Sequence, residues 1–226
     1  MYRTGGYKMD LTTGYKMDLT TPDIKKAVLR SQHCQRNFDL ESSIPDADIE
    51  TLIHAATNCP SKQNIAFYKL HVLTDRDTIE QVHDLATGTH VYGEDGQLVP
   101  STNSQVLANV LFVFEPLDID DLSEKSRGRW EKKDAGDVSV FKRDQDTAIG
   151  IASGYVNLTA SLLGYATGCC QCGQMTAIQK LLGMKNRPAM LQGIGIKDPN
   201  RNRRLHEKTG LMFMTNKKEE IAVTRS

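Results

Sequence analysis

The chain has no excess of charge of either sign. Its 226 residues carry 28 Lys plus Arg against 28 Asp plus Glu. A nucleic-acid binder normally shows a basic excess or stripe, so the balance argues against one. Any basic cluster must instead serve a local anion. No apolar run nears the ~20 residues that a membrane span needs, and the N-terminus has no signal-peptide apolar segment. These two absences argue against a membrane partner. Five Cys in a chain of this length, without an export signal, read as reduced thiols in a cytoplasm. What is present is ordinary: 39% hydrophobic and 25% charged residues, enough for a globular domain with a sizeable core.

One feature is unusual. Residues 6–13 read GYKMDLTT, and residues 14–21 repeat them without change. Two perfect copies do not make a solenoid. Residues 1–21 are therefore read as a flexible duplicated segment, and 22–226 as one domain. Thr21-Pro22-Asp23 predicts an N-cap, an N1 proline and an acidic first turn. A second helix is expected from Pro45, with Ile49, Leu52, Ile53 and Ala56 on one face. Residues 68–74 alternate as a strand with Leu70 and Val72 inward, and Ile79, Val82 and Leu85 mark a third helix. Residues 88–104 read as a long polar loop. Asn109 to Phe114 is a continuous apolar run, hence a buried strand. Residues 117–143 look like a charged, irregular, exposed insertion. A long apolar helix follows over 147–163, where Gly150 and Gly154 form a small face open to close approach. A short helix near 178–182 ends at Gly183, residues 190–196 read as a strand, and an extended segment begins at Leu211. Helices first and strands interleaved later predict an α+β layer fold.

Four segments carry candidate chemistry. Gln32-His33-Cys34-Gln35-Arg36-Asn37-Phe38 puts an imidazole, a thiol and a cation together. Cys59-Pro60-Ser61-Lys62-Gln63-Asn64 is a turn with donors suited to a planar heterocycle. Gly168-Cys169-Cys170-Gln171-Cys172-Gly173 reads as a tight glycine-flanked turn offering backbone N–H groups. Zinc fits it poorly, because zinc needs about four ligands in spaced pairs. Arg201 and Arg203 share a side if their segment is extended, and paired guanidiniums match phosphate oxygens.

In this order and spacing the segments resemble the FMN-dependent nitroreductase family. His33, Cys34, Arg36 and Phe38 fall on its N-terminal Arg-(Arg/His)-Ser-x-(Arg/Lys)-x-Phe motif. Pro60, Ser61, Lys62 and Asn64 fall on its Pro-Ser-Ser-x-Asn turn. Asn157 to Gly168 match its long helix and Gly-Leu-Gly-like turn, and Arg201 and Arg203 its C-terminal basic pair. The sequence departs from the pattern at Gln32, Cys34 and Lys62.

The resemblance implies an α+β fold: a mixed sheet flanked by helices, with a C-terminal extension swapped across a homodimer. It implies an FMN site in which Gln32, His33, Cys34, Arg36, Arg201 and Arg203 hold the phosphate and nearby flavin edge. Pro60, Ser61, Lys62 and Asn64 would reach the flavin from the other subunit. Gln171 and Cys172 would lie near flavin N5 and O4, with Asn103 also in contact. Arg36 would face the negative charge of the reduced flavin. The implied activity is ping-pong reduction of nitroaromatic or quinone-like acceptors by NADH or NADPH, with no catalytic side chain and no metal. Besides a zinc-binding module, two alternatives stay open at this level. One is a flavin-dependent dehalogenase or flavin-fragmenting enzyme of the same superfamily, with residues 117–143 as a lid. The other is a non-catalytic flavin-binding redox sensor using Cys169, Cys170 and Cys172.

Overall fold

The computed structural model describes residues 19–92, 97–134, 137–206, 210, 212 and 217–225. Among these residues six α-helices run in chain order: α1 (Thr21–Ser31), α2 (Asp46–Thr57), α3 (Arg76–Leu85), α4 (Glu124–Asp134), α5 (Val138–Leu163) and α6 (Met175–Leu181). Six strands of the described residues interleave with them: β1 (Tyr68–Leu73), β2 (Thr87–Tyr92), β3 (Leu98–Thr102), β4 (Val110–Pro116), β5 (Ala166–Cys170) and β6 (Met190–Gly195). The main sheet has the order β1-β4-β6-β5, and β2 and β3 form a separate hairpin.

The central strand β4 is buried on both faces because its side chains alternate between two layers. Val110, Phe112 and Phe114 pack with Leu52 and Ala56 of α2 and with Ile149, Ala152 and Val156 of α5. Leu111 and Val113 pack the other way, against Ile79 and Val82 of α3, Ile178 of α6 and Leu191. That two-sided burial is why the run is continuously apolar. The chain is thus an α+β layered domain: helices on both faces of one sheet. No helix among the described residues is long and apolar enough to cross a membrane.

Five expectations change. The helix cap is Thr20, one residue earlier than expected: its hydroxyl accepts from Asp23 N–H, and Asp23 reciprocates toward the Thr20 N–H. Among the described residues the main sheet is not mixed. All three ladders of the main sheet are antiparallel, and the parallel pairing described is a single Cys34–Thr167 bridge. Residues 88–104 are mostly the β2–β3 hairpin, whose base is closed by Asn103 N–H donating to Ala86 O at 2.7 Å. Thr87, Thr89 and Val91 carry the strand signal, and a register shift at Gly88 interrupts it.

Residues 117–143 are not a loose insertion. Leu122, Trp130 and Phe141 form a third buried cluster with Ile65, Phe67 and Ala148. Trp130 meets Phe141 edge-on, with ring centroids 5.4 Å apart. Two large aromatics far apart in a charged stretch leave no periodic signal, so only the folded chain shows them as one core. Finally, α5 starts well before residue 147; Asp137 caps it by accepting from Ser139 N–H at 2.8 Å. The first copy of the tandem repeat and residues 14–18 of the second lie outside the described residues, as do 211, 213–216 and 226 of the extended segment expected from Leu211.

One buried carboxylate ties the layers together. Glu115 Oε2 lies 2.6 Å from His71 Nε2, and Oε1 accepts from Asn186 N–H at 2.8 Å. Burial pushes the Glu115 carboxyl up, but the Asn186 N–H and His71 outweigh it, and the group sits below the usual carboxylate value. A depressed carboxyl adds stability above its unfolded pKa, and that stability is lost as pH falls through the folded value. Glu115→Gln is therefore expected to cost roughly 1 kcal/mol at pH 7. The gap should close at strongly acid pH. Urea unfolding of both proteins across that range checks it, and a gap independent of pH would sink the assignment.

Candidate functional site

The first candidate segment follows α1, whose C-cap is Gln32. The chain then runs extended along the end of the sheet. Gln35 N–H donates to Thr167 O at 2.7 Å, Asp39 N–H to Ile196 O at 2.8 Å, and Phe38 bridges Lys197. Asn37 breaks the run with a φ of 58°, a conformation that Asn tolerates better than most residues. Its side-chain amide donates to Asn202 O at 2.7 Å and Leu205 O at 2.6 Å. Asn37 thereby staples the C-terminal basic segment onto residues 34–38.

The staple brings Arg36 and Arg203 together. Arg203 Nη1 donates to Cys34 O at 3.2 Å. Burial, and then the neighbouring Arg203 charge, lower the Arg36 pKa. An Arg guanidinium nonetheless stays protonated at neutral pH. Two half-buried cations side by side are costly unless an anion joins them. The segment is a turn, with Leu205 N–H donating to Asn202 O, rather than extended. Arg201 and Arg203 therefore do not act as an equivalent pair. Among the described residues Arg203 forms no ion pair, whereas Arg201 is exposed and sits 3.9 Å from Asp198. Gln32 and His33 are exposed at the rim.

Two glycines build the floor. Gly168 of β5 and Gly193 of β6 are register partners. The 103–108 loop lies directly on them. A Cβ at Gly193 would fall 2.1 Å from Gln105 O, and one at Gly168 would fall 2.9 Å from Gln105 Cβ. The loop thus carries Asn103 and Gln105 to the edge segment. Asn103 Nδ2 lies 3.0 Å from Cys170 Sγ, and the Gln105 side-chain amide lies 2.6 Å from Cys34 Sγ. Turned with its oxygen toward Arg36, the Gln105 amide accepts from Arg36 Nη2 at 3.2 Å and donates to Cys169 O at 2.9 Å. In that orientation the guanidinium, which can only donate, faces an acceptor. Sequence reasoning missed Gln105; the polar Asn103-Ser104-Gln105 step before the buried run was the available signal.

The expected turn at 168–173 is strand β5 as far as Cys170, and only then a turn. A strand of Ala, Thr, Gly and Cys is short and weakly β-favouring, so its pairing with β6 decides it. Gln171 and Cys172 are exposed where β5 ends. Gln171 Nε2 donates to Ala189 O at 3.3 Å, and Cys172 N–H points at Cys170 Sγ at 3.3 Å. Burial pushes the Cys170 thiol up to about 11, and raises Cys34 as well. Both are neutral thiols at neutral pH rather than thiolate nucleophiles. Among the described residues no group of three His, Cys, Asp or Glu is placed to hold a metal.

The Pro60–Asn64 segment lies elsewhere. It leads into β1, at the opposite edge of the sheet from β5. Three strand spacings, about 14 Å, separate those edges. Within one chain, then, the structure joins Cys34, Arg36, Asn103 and Arg203 with Gln171 and Cys172 near them, and leaves Pro60, Ser61, Lys62 and Asn64 apart. Gln63 and Asn64 both have a φ of 55°. Such a conformation costs a non-glycine residue about 1–2 kcal/mol. Ser61 Oγ donates to Ile65 O at 2.8 Å, and Arg129 Nη1 donates to Gln63 O at 3.1 Å. Lys62 Nζ donates to Asp144 Oδ2 at 2.6 Å. Beside the turn a recess of about 380 Å³ is lined by Asn58, Cys59, Ser61, Asn64, Tyr68 and Leu70.

The sequence pattern of the nitroreductase family matches residues 29–196. Among solved structures, a nitroreductase family protein of Streptococcus pneumoniae superposes with a TM-score of 0.58 at 17% identity, covering 77% of this chain and 91% of that one. A protein of Exiguobacterium sibiricum assigned as a nitroreductase, crystallised with FMN, superposes at 0.59 and 21% identity, covering 79% and 90%. One of Staphylococcus epidermidis assigned as an NAD(P)H:FMN oxidoreductase superposes at 0.60 and 16% identity, covering 82% and 92%. At these identities the likeness is one of fold. No curated protein matches the sequence.

Proposed function

The chain belongs to the nitroreductase family, and on that premise we propose that it is an FMN-dependent oxidoreductase. It passes hydride equivalents from NADH or NADPH to flat acceptors such as nitroaromatics or quinones. The observation that carries this reading is the Arg36–Arg203 pair beside the glycine floor. Two adjacent guanidiniums, one of them without an acidic partner among the described residues, suit a phosphate dianion. Next to them, the Asn103 and Gln105 amides and the exposed Gln171–Cys172 turn offer hydrogen-bonding groups to a heterocycle.

FMN, when bound, supplies the hydride chemistry. The chain's own residues bind and orient. Arg203 and Arg36 hold the phosphate end, with Gln32, His33 and Arg201 at the rim. Arg36 is also the cation best placed to meet negative charge on the cofactor, and Gln105 orients it. Asn103, Gln171 and Cys172 face the ring edge. In this reading no side chain acts as a general acid, and donor and acceptor occupy one site in turn.

The partner copy completes the site in this reading. Pro60, Ser61, Lys62 and Asn64 lie too far across the sheet to reach the same pocket, which supports their entering from the other subunit of a homodimer. α5 offers a surface for that contact. A Cβ at Gly150 or Gly154 would meet nothing within 4 Å, and Tyr155 beside them is 47% exposed. On neighbouring α1, Ile24 and Val28 are 45% and 50% exposed. Near the C-terminus, Ile221 and Val223 are also left exposed, as a swapped extension requires.

The test is one preparation with two measurements. The purified protein should sediment as two chains and absorb near ~450 nm, bleaching anaerobically with NADH or NADPH. A nitroaromatic or quinone should restore the colour. A colourless protein that takes up no added FMN would overturn the reading.

A further inference from the structure

We propose that Arg129 and Asp144 are positioning residues, which clamp the strained Ser61–Ile65 turn in the shape that meets the cofactor. This rests on the reading of the turn as a flavin contact. The argument begins with the turn itself. Gln63 and Asn64 are consecutive, neither is glycine, and both hold a φ of 55°. Residues in that region persist only where their surroundings over-determine them, and they cluster at ligand clamps.

The surroundings here come from one stretch, residues 117–145. Arg129 on α4 donates through Nη1 to the carbonyl of Gln63, the first strained residue, at 3.1 Å. Asp144 on α5, only 10% exposed, holds the Lys62 ammonium at 2.6 Å. Arg143 approaches the other oxygen of Asp144 at 3.2 Å and keeps that oxygen partnered. Just beyond the turn, Gln145 Nε2 donates to Phe67 O at 3.0 Å and to Leu117 O at 2.7 Å. The clamp is rigid because Trp130, the neighbour of Arg129, packs on Phe141, which in turn packs on Phe67 with centroids 5.4 Å apart.

The stretch that reads as an exposed insertion, with Asp144 and Gln145 just beyond it, is therefore a brace for the turn. Lys62 departs from the family's Ser at this position, and its side chain bonds to the brace. Lys62 thus anchors the turn, leaving Ser61 and Asn64 to present its polar face. Asn64 is exposed and lines the recess, as a contact with a group from outside this chain requires.

The test measures FMN binding to apoprotein by fluorescence titration, with thermal unfolding alongside. Arg129→Ala and Asp144→Asn should each weaken binding by about tenfold, since each removes a charge-assisted bond. Adding Gln63→Gly to Arg129→Ala should bring affinity back to within about twofold, because glycine adopts a positive φ without strain. A purely structural role for Arg129 would not be rescued at residue 63. If wild type binds FMN and Arg129→Ala binds it equally well, the clamp is wrong while the flavin reading stands. If Gln63→Gly restores nothing, the strain argument falls. If wild type takes up no FMN, both fall.

Discussion

Gly193→Ala is expected to destabilise the protein and abolish cofactor retention together. The added Cβ would sit 2.1 Å from Gln105 O and 2.9 Å from Ala108 Cβ. The first of these is backbone, and it has little room to yield. Asn103 N–H is bonded to Ala86 O, and Val106 N–H to Asn103 O. At the far end Asn109 Nδ2 holds Asp39 O at 2.7 Å and Ser42 O at 2.6 Å. Overpacking of this kind costs about 1–3 kcal/mol or more. In a domain of this size that corresponds to a Tm drop of roughly 2–12 °C. Displacing the loop also moves Asn103 and Gln105, so the protein should purify without flavin. Gly128→Ala, at an exposed position of α4, is the control: its Cβ meets nothing within 4 Å. It should stabilise slightly, as Gly to Ala does in a helix. Equal melting of Gly193→Ala and wild type would remove the glycine floor from the argument.

Arg203→Ala should weaken FMN binding by about 10–100-fold, the range expected for losing charge-assisted bonds to phosphate. Riboflavin, which lacks the phosphate, separates the roles. Its affinity should be unchanged in Arg203→Ala. Arg36→Ala should weaken FMN as well, lower the bound flavin's midpoint potential and slow its reduction, because a cation near the reduced ring is lost. The apoprotein should respond in the opposite sense. Arg36 and Arg203 repel each other, so Arg203→Ala should melt slightly higher than wild type when FMN is absent. Equal loss of FMN and riboflavin in Arg203→Ala would show that it does not read the phosphate. An unchanged potential in Arg36→Ala would remove its electrostatic role.

These predictions depend unequally on sequence and on structure. The helical stripe of Leu52, Ala56 and their neighbours, the alternation in β1 and the apolar run of β4 were all legible, since each lies within one element. Arg36 and Arg203 could be singled out as cations in motif positions, while their phosphate role is a proposal. Gln105 was not legible, because nothing local distinguishes a surface amide from one pressed against Cys34 and Arg36. Arg129 sits in a stretch that reads as solvated, since charged residues surround Trp130 and Phe141 there, and Asp144 lies just past its end.

Sequence by itself determined the α+β class, most of its elements and a family resemblance that the comparison bears out. Periodicity and capping act over a few residues, and the chain carries them wherever it is read. Tertiary structure alone decided the antiparallel order β1-β4-β6-β5, the strand identity of Gly168–Cys170 and the inequality of Arg201 and Arg203. It also decided that the Pro60–Asn64 turn stands an entire sheet away from the arginines. Each of these depends on contacts between residues far apart in the chain. Their energies come from close packing and paired hydrogen bonds, which no local pattern encodes.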